Sequence, residues 1–142
     1  MEFFDALVRY EVALWHAVDL ELDRQGQSSL GQLHALRVLA RYDGEARVQD
    51  LSGDIGITVG AASKLVDRLE RDGLAVRSPN PANRRSSLIT LTTAGRQALA
   101  RAAAVFGAAV AEAIGQEDVE PLTAALRRLH ARLDQPGTRR AA

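Results

Sequence analysis

Hydrophobic positions along the chain fall into six helical patterns interrupted once by a short alternating segment. Residues 3–24 carry Phe3, Phe4, Leu7, Val8, Val12, Leu14, Trp15, Val18 and Leu22, mostly at helical spacing with acids between them. Gln25-Gly26-Gln27-Ser28 ends that pattern, and Ser29 stands as the N-cap of a second helix. In that second helix Leu30, Leu33, Leu36, Leu39 and Ala40 mark the expected buried stripe, closed by the turn Asp43-Gly44. Val48 to Ile55 reads as a short third helix, Gly56-Ile57-Thr58 as a turn, and Val59 to Asp72 as a longer amphipathic helix. Leu74-Ala75-Val76-Arg77 and Leu88-Ile89-Thr90-Leu91 read as antiparallel strands, with Pro79 and Pro81 bounding the loop between them. Arg47-Val48 is expected to bridge to this hairpin as a third strand of one residue. Thr92 or Thr93 should then cap an alanine-rich helix with Leu99, Val105, Phe106, Val110 and Ile114 on its apolar face, reaching about Ile114. After Gly115-Gln116 comes a last helix with Val119, Leu122, Leu126, Leu129 and Leu133 as its stripe and Pro121 in its first turn. The tail, residues 135–142, is expected to be disordered.

Helix, turn, helix and basic hairpin, in that order, describe a winged helix-turn-helix, which sets one helix in a major groove and a loop beside it. The expected fold class is mainly α with a small β-wing. The expected organisation is an N-terminal dimerisation helix (1–28), a DNA-binding lobe (29–92) and C-terminal dimerisation helices (93–134). The terminal helices lie too far out to cover the small core of the lobe, and a two-fold homodimer would bury their apolar faces.

The 142 residues have a formal net charge of zero, which changes meaning once it is divided along the chain. Residues 1–60 hold 5 Lys/Arg against 10 Asp/Glu, residues 61–101 hold 8 against 3, and residues 102–142 hold 5 against 5. The excess of positive charge thus falls on the fourth helix, the hairpin and the start of the fifth helix, where a phosphate backbone would lie. A solvated charged face is the plainer account of any one of these residues.

In the fourth helix, Ala62, Leu65, Val66 and Leu69 recur at helical spacing and are expected to face the core. That turns Gly60, Ala61, Ser63, Lys64, Asp67 and Arg68 outward. The first turn of that face is built of very small residues, which allow close approach to base edges and thymine methyls. Ser63 and Lys64 become the expected readers of bases, with Arg68 and Arg71 toward phosphates. Thr58 is expected to cap the helix, whose N-terminus favours a phosphate. At the hairpin tip Asn83, Arg84, Arg85, Ser86 and Ser87 place two guanidiniums on a two-stranded ribbon, and arginine is favoured in a narrow minor groove.

On the run Thr58 to Leu74, on Asn83-Arg84-Arg85, and on Leu88-Ile89-Thr90-Leu91-Thr92-Thr93-Ala94-Gly95, the chain resembles the MarR family of transcriptional regulators. The resemblance implies a homodimeric winged-helix protein that binds a palindromic promoter site in double-stranded DNA, often as a repressor. It also implies release from DNA by a small aromatic or phenolic effector. The family's recognition positions map onto Gly60, Ala61, Ser63, Lys64 and Arg68, and its minor-groove wing arginine maps onto Arg85, with Arg84 beside it. One departure is Asn83, which stands where the family usually has an acid; it accepts a hydrogen bond but brings no charge. By the same resemblance an effector space lies among the first two helices, the fifth helix and the lobe. Trp15, His16, Asp19, His34, Arg37 and Tyr42 are candidates to line it. The plainer reading makes Trp15 a core or dimer-contact aromatic, His34 a partly buried polar group and Arg37 half of an ion pair.

Other classes of function find less support. The chain has no cysteine, which removes disulfides and thiolate metal sites, and its three histidines are widely spread. No cofactor or metal site is expected. There is no nucleophile-base-orienter grouping and no glycine-rich phosphate loop, so an enzyme is not expected. Glu11, Asp19 and Glu21 read as an acidic helix surface. No run approaches 18 apolar residues and the first residues are acidic, so neither a membrane partner nor a signal peptide is expected, and the location should be cytoplasmic. The alternative function is a winged-helix protein–protein adaptor or antirepressor that does not bind DNA.

Overall fold

The structure is a computed structural model, and residues 1–83 and 85–133 are described. Among them are six helices and a two-stranded antiparallel sheet: α1 (Glu2–Arg24), α2 (Leu30–Arg41), α3 (Val48–Ile55), α4 (Val59–Arg71), β1 (Ala75–Pro79), β2 (Ser87–Leu91), α5 (Thr93–Ile114) and α6 (Glu120–Leu133). The fold is mainly α with a small β-wing, as the periodicity predicts. Arg84 and the tail, residues 135–142, lie outside the described residues. The chain divides into two compact units, Met1–Val110 and Ala111–Ala142.

The first unit holds two hydrophobic clusters. One joins Leu36, Val38 and Leu39 of α2, Leu51 of α3, Ala62, Val66 and Leu69 of α4, and Ala75, Ile89 and Leu91 of the hairpin. The other joins Val18 and Leu22 of α1, Leu30 and Leu33 of α2, and Ala102 of α5. Leu99 packs against both, so α5 ties the lobe to the α1 side.

Each element in this unit begins and ends for a local reason. Ser29 caps α2 with a reciprocal box: its hydroxyl accepts from the Gln32 N–H at 3.3 Å, and Gln32 Oε1 accepts from the Ser29 N–H at 3.2 Å. The carboxylate of Asp19 accepts from the Leu30 N–H at 2.7 Å, which binds α1 to the start of α2. Between α3 and α4, Ser52 donates to the Ile57 carbonyl at 2.6 Å and so closes the helix-turn-helix turn. After α4, Gly73 turns the chain at φ 70°, a conformation that favours glycine. Thr92 then stitches hairpin to helix: its hydroxyl donates to the Gly73 carbonyl at 2.8 Å and accepts from the Gly95 N–H at 2.9 Å. A Cβ at Gly95 would stand 1.9 Å from the Leu74 carbonyl oxygen, so no other residue lets α5 approach the hairpin so closely.

Two expectations need correcting. Ala40 is exposed, and Ala35 and Val38 take its place in the buried stripe of α2. The hairpin's one-residue partner is Ala46, paired with Ile89, and not Arg47-Val48. Ala46 is fully buried, whereas Arg47 keeps its guanidinium at the surface on Asp50. Pro79 ends β1 opposite Ser87 and so bounds the loop as expected, at a position where its missing N–H is tolerated on an edge strand. In α5 the deeply buried residues are small, Gly95, Ala98 and Ala102, while the larger apolar ones are only partly covered. By length and composition α5 also meets the requirement for a membrane span, with a best-window mean hydropathy of 1.3. Its contacts in both clusters are those of a packing helix.

In the second unit, α6 buries none of its residues, and Leu122, Leu129 and Leu133 are exposed.

Candidate nucleic-acid interface

Helix α4 arrives with its core face satisfied. Ala62, Val66 and Leu69 are fully buried, Leu65 is packed against the same cluster, and Gly60, Ala61, Lys64, Asp67 and Arg68 are exposed. Thr58 caps the helix by accepting from the Ala61 N–H at 3.2 Å. A Cβ at Gly60 would meet nothing within 4 Å, so the protein's own packing does not require glycine there. A glycine inside a helix is disfavoured by ~1 kcal/mol against alanine, though less near an end.

Beside α4 the hairpin builds its tip from asparagine and serine. Asn80, the buried polar residue of the lobe, accepts from the Ala82 N–H at 2.9 Å and donates to Ser86 Oγ at 3.0 Å. Asn83 accepts from the Arg85 N–H at 3.0 Å through its side chain, and its carbonyl accepts from the Ser86 N–H at 3.0 Å. Asn83 therefore shapes the turn that presents Arg85 without using charge. Sequence reasoning singled out Asn83 but gave no role to Asn80; the Asn-Pro pair at residues 80 and 81 was the available turn signal.

Between helix and tip lies a cavity of about 590 Å³ lined by Arg47, Val48, Gln49, Val59, Ser63, Arg77, Asn83, Arg85, Ser86 and Ser87. The structure thus brings Ser63 of α4 and Asn83 and Arg85 of the wing to one groove. Gly60, Ala61, Lys64 and Arg68 stand on the exposed face of the same helix, while Arg71 lies at its far end, 3.7 Å from Asp72. Among the described residues no carboxylate lies within ion-pair distance of Lys64, Arg68 or Arg85. Arg77, which sequence reasoning did not single out, is the opposite case: its Nη1 donates to Asp67 and to Glu70, each at 2.7 Å.

The residues expected to line an effector space are divided among four concavities. Trp15 and His34 meet edge to face, with ring centroids 5.5 Å apart, beside a cavity of about 170 Å³ also lined by Leu14, Val18, Leu30, Phe106 and Val110. His34 also borders a larger space of about 610 Å³ with Arg37, Arg41, Asp54 and Leu99. His16 and Asp19 line a third concavity of about 250 Å³ with Asp23 and Ser29, and Tyr42 lies in a fourth, beside the wing. Arg37 makes no ion pair with any described residue; its guanidinium lies over the Phe106 ring, 4.2 Å from the centroid. Burial, reinforced by Arg37, pushes the His34 pKa down.

This arrangement of α3, turn, α4 and hairpin is that of a winged helix-turn-helix. Residues 29–87 match the model of the MarR family. No curated protein is significantly similar to the chain in sequence. Solved structures extend the likeness across the chain. A MarR-family transcriptional regulator from Rhodococcus sp. RHA1 matches with 23% identity and a TM-score of 0.81, covering 95% of this chain and 94% of that one. BldR, a transcriptional regulator from Sulfolobus solfataricus, matches with 23% identity and a TM-score of 0.83, covering 92% and 94%. CouR from Rhodococcus jostii RHA1, solved bound to p-coumaroyl-CoA, matches with 23% identity and a TM-score of 0.79, covering 92% and 90%. At these identities the likeness is one of fold.

Proposed function

We propose that this protein is a transcriptional regulator of MarR type that binds a palindromic site in double-stranded DNA as a homodimer and represses the adjoining promoter. The observation that carries this reading is the groove where Ser63 of α4 faces Asn83 and Arg85 of the wing, flanked by the cations of Lys64 and Arg68, which stand outside every ion pair among the described residues. Helix α4 enters the major groove, with Gly60 and Ala61 against base edges, Ser63 and Lys64 reading bases, and Arg68 and Arg71 toward phosphates. Thr58 leaves the helix N-terminus open to a phosphate, and Arg85, with Arg84 beside it, enters the neighbouring minor groove. The lobe of residues 29–92 carries this contact, and the helices within 1–28 and 93–134 pair across the two-fold axis. Their exposed apolar side chains support that division: Phe3, Phe4 and Val12 on α1, and Leu122, Leu129 and Leu133 on α6.

The effector we propose is a small aromatic or phenolic molecule. Its supporting features are the small cavity beside Trp15, His34 and Phe106, and the cation of Arg37 held on the Phe106 ring. His16 and Asp19 line a separate concavity, in which Asp19 accepts from the Leu30 N–H.

The test is a titration of the protein against duplexes enriched from a random pool, repeated across salt concentrations. Binding should weaken linearly in log salt. Arg85→Ala should weaken it strongly and reduce the salt slope by about one per protomer. A chain that enriches no duplex, or binds with no salt dependence, would be a protein–protein adaptor instead.

A further inference from the structure

Arg77 lines the proposed DNA groove yet is poorly placed to serve as one more phosphate ligand. Its Nη1 is shared between Asp67 Oδ1 and Glu70 Oε2, both at 2.7 Å, and its own backbone N–H donates to Glu70 Oε1 at 3.0 Å. Nη2 reaches the Ser63 carbonyl at 3.5 Å. One guanidinium thus faces two carboxylates, and its side chain is only 28% exposed. Its partners sit on three successive turns of α4, at Ser63, Asp67 and Glu70, while Arg77 itself is the central residue of β1, opposite Ile89. Such charge-assisted hydrogen bonds are short and directional, so they fix the angle between two elements as well as their distance.

We infer that Arg77 is a positioning residue that locks the wing to the recognition helix, so that base reading by Ser63 and Lys64 and minor-groove insertion by Arg85 occur in one register. This rests on the DNA-binding reading above. With the lock broken, each element still meets DNA, but the two no longer meet one site together. Affinity for a selected site is lost while the number of phosphates neutralised stays the same.

Two variants test this against the wild-type chain, on the duplex that the wild type enriches from a random pool. Arg77→Gln should fold, lose ~10-fold or more in affinity for that duplex and keep its salt slope, unlike Arg85→Ala. Hydroxyl-radical footprinting should show the minor-groove protection of the wing weakened in the same variant. The second variant, Asp67→Asn with Glu70→Gln, removes both carboxylate charges that hold the Arg77 guanidinium, while the amide oxygen at position 70 can still accept the Arg77 backbone N–H. If Arg77 were a simple phosphate contact, this double variant would bind tighter with a steeper slope; the lock requires weaker binding to the selected duplex and a faded wing footprint. The double variant also decides the matter should Arg77→Gln fail to fold. Unchanged affinity and footprint in Arg77→Gln, a slope reduced by about one per protomer, or a tighter double variant with an intact footprint would each overturn the lock and leave the regulator reading standing. A wild type that enriches no duplex would remove both.

Discussion

In the lobe between α2 and β2, polar side chains reach from one element to the next: Gln32 donates to Asp72 at 2.8 Å, Arg41 to Asp54 at 2.8 Å, and Arg77 to Asp67 and Glu70. On α1 and α6 large apolar side chains stand exposed among the charged ones, with Phe4 63% and Leu133 62% accessible. The first pattern ties the elements of the lobe to one another. The second leaves apolar area in water, worth roughly 1.5–3 kcal/mol for each large side chain that a partner surface fully covers. On the function proposed above these are two kinds of interface, one polar and formed within the chain, the other completed by a second copy.

The largest effect should come from the apolar side of that contrast. Leu126→Glu with Leu129→Glu puts two charges into the stripe of α6, a 14-residue helix too short to be stable by itself. Sedimentation should then give monomers or insoluble protein, and a soluble, native dimer would mean that α6 is not part of the subunit contact. On the polar side, Gly60→Leu should leave thermal stability within about 1 kcal/mol of wild type, because a Cβ at this exposed position meets nothing in the protein within 4 Å. It should nonetheless abolish selective retention of the enriched duplex, since the leucine would occupy the space that a base edge needs. Retained selectivity would show that the small face of α4 never meets bases.

The sequence carried the elements further than it carried their joints. Periodicity placed α3 at Val48 to Ile55 and the burial of Ala62, Val66 and Leu69, because a helical stripe averages over many residues. A one-residue bridge has no such averaging, and the choice between Ala46 and Arg47 turned on which residue the core could take. Ala40 failed for a related reason: alanine is apolar enough to join a stripe on paper and small enough to sit in water at little cost. Arg77 was invisible because its partners, Asp67 and Glu70, lie on another element, and only the hairpin's return against α4 brings them within reach. The effector candidates on α1 fall in different concavities because that helix has two faces. Leu14, Trp15 and Val18 share one cavity, whereas His16, Asp19 and Asp23 share another.

The smallest effect concerns the side of the lobe where α1, α2 and α5 meet, and it sharpens the contrast by asking whether that region is preformed as well. His34 is half-buried, its ring packed edge to face on Trp15, and burial followed by the Arg37 charge lowers its pKa from 6.5. The folded state therefore prefers the neutral ring, while the unfolded chain protonates His34 near its ordinary value. Stability from this residue is fully present above that value and is lost as pH falls through it toward the folded pKa. Denaturant midpoints followed from about pH 7.5 down to about pH 5 should fall more in wild type than in His34→Gln, since His16 and His130 are common to both and cancel in the difference. The same comparison on Phe106→Leu separates two causes. Arg37 loses its aromatic platform there, so its guanidinium becomes freer to move away from His34, and the pH dependence should shrink without disappearing. Equal pH profiles for wild type and His34→Gln would mean that the ring titrates freely in solvent, and that the space beside Trp15 is not preformed in the way the lobe is.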